Sequence, residues 1–274
     1  MSLQIASLNS GSNGNCYYVG NEQDAVLVDV GLSCKETERR MKKLNLDMQK
    51  VRAIFVSHEH IDHVRGLAGL AEKFSLPIYI TNKTKVGCYH LTQHHTIHFY
   101  ADEPVDVGSL RVVGFAKMHD AVDAHSFTIS YNKITVGVFT DIGTVCKNLV
   151  HHFKKCHAAF LEANYDDTML ENGKYPNFLK DRIRGTHGHL SNAQALDLFA
   201  KHKPKFMSHL LLAHLSKDNN DINLVQKIFT EKANDTKIIV ASRYAESEVF
   251  TVSNNTLEPL QKKKLKPTTQ LALF

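Results

Sequence analysis

Val56-Ser57-His58-Glu59-His60-Ile61-Asp62-His63 sets three imidazoles and the Asp62 carboxylate within six residues. Grouping such side chains is costly unless something binds them. Neutral imidazole nitrogen and carboxylate oxygen are donors that suit zinc, manganese or iron(II). The stretch follows Val51-Arg52-Ala53-Ile54-Phe55-Val56, an apolar, β-branched run that reads as a buried strand, so the polar residues stand where a rigid strand ends. The order His-x-His-x-Asp-His differs from His-Glu-x-x-His, in which two histidines share one helix face. In an extended or turning segment His58 and His60 project to one side, while Asp62 and His63, entering a following helix, swing toward a neighbouring point. That arrangement serves two metals; the plain alternative is a surface loop rich in histidine.

Working outward, 274 residues of which 43% are hydrophobic can bury one large core, so a single domain over residues 1–255 is expected, followed by a tail over 256–274. No run of eighteen apolar residues occurs, and Met1-Ser2-Leu3-Gln4-Ile5 lacks the charged start and apolar stretch of an export signal, which leads us to expect a cytoplasmic protein without membrane contact. The five cysteines show no C-x-x-C spacing, so reduced thiols are expected and neither a disulfide framework nor a zinc knuckle is indicated. The net charge is +5, but Lys262, Lys263, Lys264 and Lys266 all lie in the tail. The body is nearly neutral, which argues against a surface coated for nucleic acid while leaving room for a local basic face.

In chain order, Leu3–Leu8 and Cys16–Val19 read as strands around Asn9-Ser10-Gly11-Ser12-Asn13-Gly14-Asn15, which is either a turn or a backbone nest for phosphate built on Ser10, Gly11, Ser12 and Asn13. Ala25–Gly31 is a strand ending in Asp29, placed to take the second ring N–H of a ligating histidine; Glu162, at the end of Ala158–Asn164, is the other such candidate. Ser33-x-x-Glu36 and Ser191-x-x-Gln194 have capping-box spacing and open helices. Val64–Phe74 reads as one helix. Residues 110–140 have the texture of short strands, with His119 and Asp141 at strand ends. His90, His94, His95 and His98 share no motif and read as ordinary surface or core-edge residues.

His58 to His63, Met118-His119-Asp120-Ala121, Thr140-Asp141-Ile142-Gly143, Leu161-Glu162-Ala163-Asn164, Gly188-His189-Leu190-Ser191-Asn192 and His214-Leu215-Ser216 together resemble the metallo-β-lactamase superfamily, and in it the compact bacterial YycJ-type branch. The resemblance spans residues 1–252 and implies an αββα sandwich, two mixed sheets covered by helices, with metal-dependent phosphodiesterase activity on nucleic acid. It implies two divalent ions, zinc first and manganese or iron as alternatives: His58, His60 and His119 on one, Asp62, His63 and His214 on the other, Asp141 on both. Asp62 and His189 are the implied catalytic residues, His189 serving the leaving group unless it merely contacts the helix cap. Other branches fit less well. No thioesterase-type segment surrounds His119, His60 replaces the glutamate of flavodiiron proteins, and residues 142–188 are too few for a β-CASP insert.

The tail is basic, polar and proline-containing up to Thr269 and reads as a tether. It ends in Gln270-Leu271-Ala272-Leu273-Phe274, which resembles the bacterial sliding-clamp-binding peptide, with Gln270, Leu271, Leu273 and Phe274 as the contacts. The reading is thus a nuclease, an exonuclease acting on DNA in preference to RNA and recruited to the replication clamp. Its alternatives are a clamp-docking protein whose metal site is structural, and a metallo-hydrolase of a small ester.

Overall fold

The structure, a computed structural model, describes residues 1–88, 91 and 94–254. The first half of the chain forms β1 (Ser2–Asn9), β2 (Cys16–Gly20), β3 (Ala25–Val28), β4 (Val51–Phe55), β5 (Ile78–Tyr79) and β6 (Thr96–Ile97), with α1 (Cys34–Lys43), α2 (Ile61–Val64), α3 (Leu67–Phe74) and α4 (Asn82–Gly87) between them. The second half forms β7 (Pro104–Val107), β8 (Leu110–Ala116), β9 (His125–Tyr131), β10 (Ile134–Phe139), β11 (Ala158–Glu162), β12 (His209–Ala213) and β13 (Lys237–Val240), with α5 (Lys147–Phe153), α6 (Asp167–Asn172), α7 (Asn177–Arg184), α8 (Asn192–His202) and α9 (Ile222–Thr230). A last strand, β14 (Phe250–Ser253), returns to pair antiparallel with β1.

These strands make two seven-stranded sheets, ordered β14-β1-β2-β3-β4-β5-β6 and β13-β12-β11-β10-β9-β8-β7. Each is antiparallel on one side and parallel on the other, the change falling between β3 and β4 in the first and between β10 and β11 in the second. Side-chain alternation sorts the layers. Tyr17, Val19, Val26 and Val28 point inward and meet Phe127, Val136, Phe160 and Leu211 of the facing sheet. Their alternate neighbours, Tyr18, Leu27 and Ile54, pack outward against Met41, Leu67 and Leu70 of the helices, and Leu161, Leu210 and Leu212 do the same against Leu198, Phe199 and Phe229. Three apolar layers between four layers of secondary structure make the αββα sandwich, and strands buried on both faces explain the unbroken apolar runs in the sequence.

Two local expectations change. Val64–Phe74 is not one helix: it breaks at Gly66, whose N–H donates to Val30 O and where a Cβ would come within 1.8 Å of the Leu32 carbonyl oxygen. The close approach docks the end of the histidine segment onto the loop after β3. The second change is at α1, where Ser33 accepts the Glu36 N–H but the Glu36 carboxylate turns to Arg39 and Arg40, so only half of the capping box forms; at Ser191 and Gln194 both halves do. Among the described residues, no helix is long and apolar enough to cross a membrane.

Candidate metal centre

Strand ends converge to build the site. Asp29 follows β3, Ser57 to His63 follow β4, His119 follows β8, Asp141 follows β10, Glu162 closes β11 and His214 follows β12. Clustering at the carboxyl ends of strands is where open α/β sheets put ligands. Asp29, Asp141 and His214 all adopt positive φ, at 60°, 55° and 56°, so the chain turns sharply as it leaves each strand. Non-glycine residues held there store strain, and such residues concentrate at functional sites.

The side chains form two groups. Donor atoms of His58, His60 and His119 lie within 4.8 Å of one another, and so do those of Asp62, His63 and His214. Asp141 faces both: its Oδ2 is 3.3 Å from His63 Nε2 and its Oδ1 is 3.9 Å from His119 Nε2. All seven residues of the expected ligand set are thus together; among the described residues His94, His95 and His98 have no part in it, and His90 lies outside the described residues.

Hydrogen bonds orient four of the imidazoles by their Nδ1. His63 Nδ1 is 2.7 Å from Asp29 Oδ2, His214 Nδ1 is 2.9 Å from Glu162 Oε1, and His119 Nδ1 is 3.1 Å from the Gly188 carbonyl oxygen. Since each partner only accepts, each Nδ1 donates, and Nε2 is the nitrogen left to face the centre, a ligand once it carries no proton. Ser57 extends the pattern: its hydroxyl donates to Asp29 Oδ2 and accepts from His58 Nδ1, both at 2.8 Å. The result is visible in what is left over. His119 Nε2, His214 Nε2 and Asp141 Oδ2 are buried without a hydrogen-bond partner among the described residues. Buried polar atoms aimed at one another without partners are unfavourable in isolation and are what a divalent cation satisfies, so the residues present fit the metals.

The two groups differ electrostatically. Burial, reinforced by the nearby His63 and Lys117, holds His58 well below the ordinary histidine range, and burial brings His119 down to about 4 despite Asp141. In the other group, burial opposes charge on His63 and His214, but Asp141 and the neighbouring carboxylates outweigh it, raising His63 well above its usual value and His214 to about 10. Lys117, buried with its Nζ 2.6 Å from the Thr140 carbonyl oxygen, adds a positive charge beneath the carboxylates that the sequence did not announce. Asn15 is another unread member; its Nδ2 donates to Asp62 Oδ2 at 3.1 Å.

His189 borders the ligand groups: its donor atom and those of Asp141, Glu162 and His214 lie within 4.8 Å of one another. Ser191 and Gln194 complete the cap of α8 by themselves, and the His189 side chain makes no hydrogen bond to it among the described residues. Its Nδ1 is instead 2.8 Å from Glu162 Oε1, the oxygen that also meets His214. Glu162 is fully buried, and its Oε2 accepts the backbone N–H of Ile142 and Leu190, at 2.7 and 3.2 Å. His189 and His214 border a cleft shared with Ser12, Asn164, Tyr175 and Arg182. The expected phosphate nest is corrected at two of its residues: the N–H of Ser10 donates to Ser242 O, and that of Gly11 to Asn15 Oδ1, so neither is available to an anion.

Comparison with known proteins accords with this geometry. The Beta-lactamase superfamily domain matches residues 24–214. The chain belongs to that superfamily, in its YycJ-type branch. It is 36% identical over 224 residues to exodeoxyribonuclease YycJ of Bacillus anthracis, covering 80% of this chain and 85% of that protein. It is 28% identical over 266 residues to exodeoxyribonuclease WalJ of Streptococcus pneumoniae, covering 94% and 97%. Among solved structures, the metallo-β-lactamase fold protein YhfI from Bacillus subtilis superposes with a TM-score of 0.70 at 17% identity, over 92% of this chain and all of that one, which speaks to the fold alone.

Proposed function

We propose that this metal-dependent hydrolase is a two-metal exonuclease that cleaves phosphodiesters of DNA. One observation carries the reading: Asp141 stands between two groups of three donors whose free nitrogens converge. The exodeoxyribonuclease names of the YycJ and WalJ relatives, matched over most of their length, support DNA as the substrate. His58, His60, His119 and Asp141 would hold one ion and Asp62, His63, His214 and Asp141 the other. When bound, such a pair supplies Lewis acidity toward a phosphoryl oxygen and brings the pKa of a water from 15.7 to about 7.

The remaining steps belong to the chain. Asp29 fixes His63 and, through Ser57, His58; Glu162 fixes His214. Because Glu162 also takes the Nδ1–H of His189, the Nε2 of that ring is the nitrogen left to serve the cleft, where it can give a proton to the departing oxygen. The buried Glu162 carboxylate holds the ring in that orientation. Incubating metal-reconstituted protein with 5′- and 3′-labelled single- and double-stranded DNA and RNA, beside a chromogenic β-lactam and a thioester, tests the reading. Stepwise shortening of DNA is expected; turnover of the lactam or thioester alone overturns it.

The tail belongs to the same reading. Gln270, Leu271, Leu273 and Phe274 lie outside the described residues, so recruitment to the sliding clamp, like the division into a domain over 1–255 and a basic tail over 256–274, rests on the sequence alone. Titrating purified clamp with a peptide of residues 261–274 should give micromolar-range binding that Phe274→Ala abolishes. Absence of binding by the native peptide ends this part of the proposal.

A further inference from the structure

Six of the eight arginines in the described residues are ion-paired: Arg39, Arg40, Arg52, Arg111, Arg182 and Arg184 each meet a carboxylate. The other two, Arg65 and Arg243, touch the same short loop. Arg65 Nη1 donates to the Asn13 carbonyl oxygen at 3.1 Å, and Arg243 Nη2 donates to Ser12 Oγ at 3.1 Å. Arg243 Nη1 is sealed from solvent and has no partner among the described residues. A guanidinium donor buried beside neither a carboxylate nor a carbonyl is unfavourable until an anion meets it, and its planar fork matches phosphate oxygens.

The position is held rigidly relative to the metal centre. Asn13 Nδ2 donates to the Arg243 carbonyl oxygen at 2.7 Å, and Ser10 N–H to that of Ser242 at 3.1 Å, stitching the two segments together. Ser10 Oγ in turn accepts the backbone N–H of His214 at 2.7 Å. Ser12 lines the cleft of His189 and His214, and a neighbouring cavity of about 280 Å³, lined by Arg243, shares Leu215 and Ser216 with it. Tyr244, 68% exposed, has its ring 5.9 Å from the Arg243 guanidinium carbon, an exposed aromatic face beside the cation. Arginine next to an exposed ring is the combination that holds a phosphate and stacks the base attached to it.

We propose that Arg243 and Ser12, flanked by Arg65, form a subsite for a phosphate of the substrate strand other than the one being cleaved. The subsite rests on the phosphodiesterase reading for its purpose, but not for its detection. The phosphate is either a terminal phosphomonoester or a phosphodiester within the strand, and both present the same oxygens to the guanidinium.

Binding of fluorescein-labelled single-stranded DNA to metal-stripped protein, measured by anisotropy across a salt series, tests the subsite without cleavage. Arg243→Ala is expected to weaken binding about tenfold at low salt and to reduce the slope of log K against log salt by about 0.7, the loss of one phosphate contact on a single strand. Arg243→Gln, which keeps length and polarity but no charge, is expected to do the same and answers if the alanine variant fails to fold. A terminal phosphate predicts that the native protein prefers a 5′-phosphorylated over a 5′-hydroxyl strand and that both variants erase the preference. An internal phosphate predicts equal weakening for both strands. If both variants match the native protein in affinity and slope, or if the native protein binds no DNA, the subsite is overturned. Failure to cleave DNA that is nevertheless bound through Arg243 would overturn the exonuclease reading and leave the subsite standing.

Discussion

The two ligand groups on either side of Asp141 are built from similar residues and behave differently. His58, His60 and His119 meet through imidazole alone, and burial keeps His58 and His119 neutral; Asp62, His63 and His214 sit among carboxylates that hold protons on His63 and His214. The first group is ready for a cation as it stands. The second attracts a cation more strongly through its charge but must release protons to bind it. The difference comes less from the ligands than from what stands behind them: a Ser57 hydroxyl and a Gly188 carbonyl on one side, the Asp29 and Glu162 carboxylates on the other.

Removing the residue common to both groups should have the largest effect. Asp141→Ala is expected to lower kcat/KM by about a thousandfold or more, about 4 kcal/mol of transition-state stabilisation, and to deplete both metals by elemental analysis. Two metals retained with normal turnover would remove Asp141 from its shared role. Next, Glu162→Gln keeps the size of the side chain but not the charge behind His214 and His189. Metal affinity of the second group should fall about 10- to 100-fold while the first is spared, and equal losses at both would erase the distinction. His189→Ala should retain both metals and lose turnover selectively, on the order of 10²-fold, read as kcat at saturating DNA.

The pH dependence sharpens the contrast with a smaller effect. Because burial brings His119 down to about 4 and holds His58 low as well, neither ring has a proton to release to a metal over the neutral range. His63 and His214 are raised, the latter to about 10, so their protons compete with the metal throughout that range. Affinity at the second group therefore rises with pH through the neutral range toward about 10, with more protons released per ion than at the first. Calorimetry in buffers of differing ionisation enthalpy counts them, and proton release of equal size at both sites would contradict the comparison. The smallest change is expected for Ser191→Ala, which should cost about 1 kcal/mol of stability by thermal melting yet leave cleavage unaltered. A loss of turnover like that of His189→Ala would tie the histidine to the cap after all.

Most of this site was legible because its residues stand at strand ends, where local pattern and function coincide. His58 to His63 are contiguous, and Asp29, Asp141 and His214 each end an apolar run. What could not be read depends on contacts between distant segments. Lys117 looks like a surface lysine until β8 and β10 enclose it, and Arg243 has no motif because its significance is the absence of a carboxylate partner among the described residues. The helix expected over Val64–Phe74 breaks because Gly66 meets Leu32, a contact no periodicity encodes. β14 was missed for a related reason: four residues make a strand only because β1, some 250 positions earlier, offers an edge. The 9–15 loop had the composition of a nest, but Ser242 and Asn15 had already taken two of its amides.

The central claim, a phosphodiesterase that needs both ligand groups filled, is tested most directly by titrating manganese or zinc into metal-stripped protein while following nucleotide release from end-labelled DNA. The account predicts little cleavage through the first equivalent and a rise to full activity across the second. Full activity at one equivalent, or none once two are bound, would contradict it.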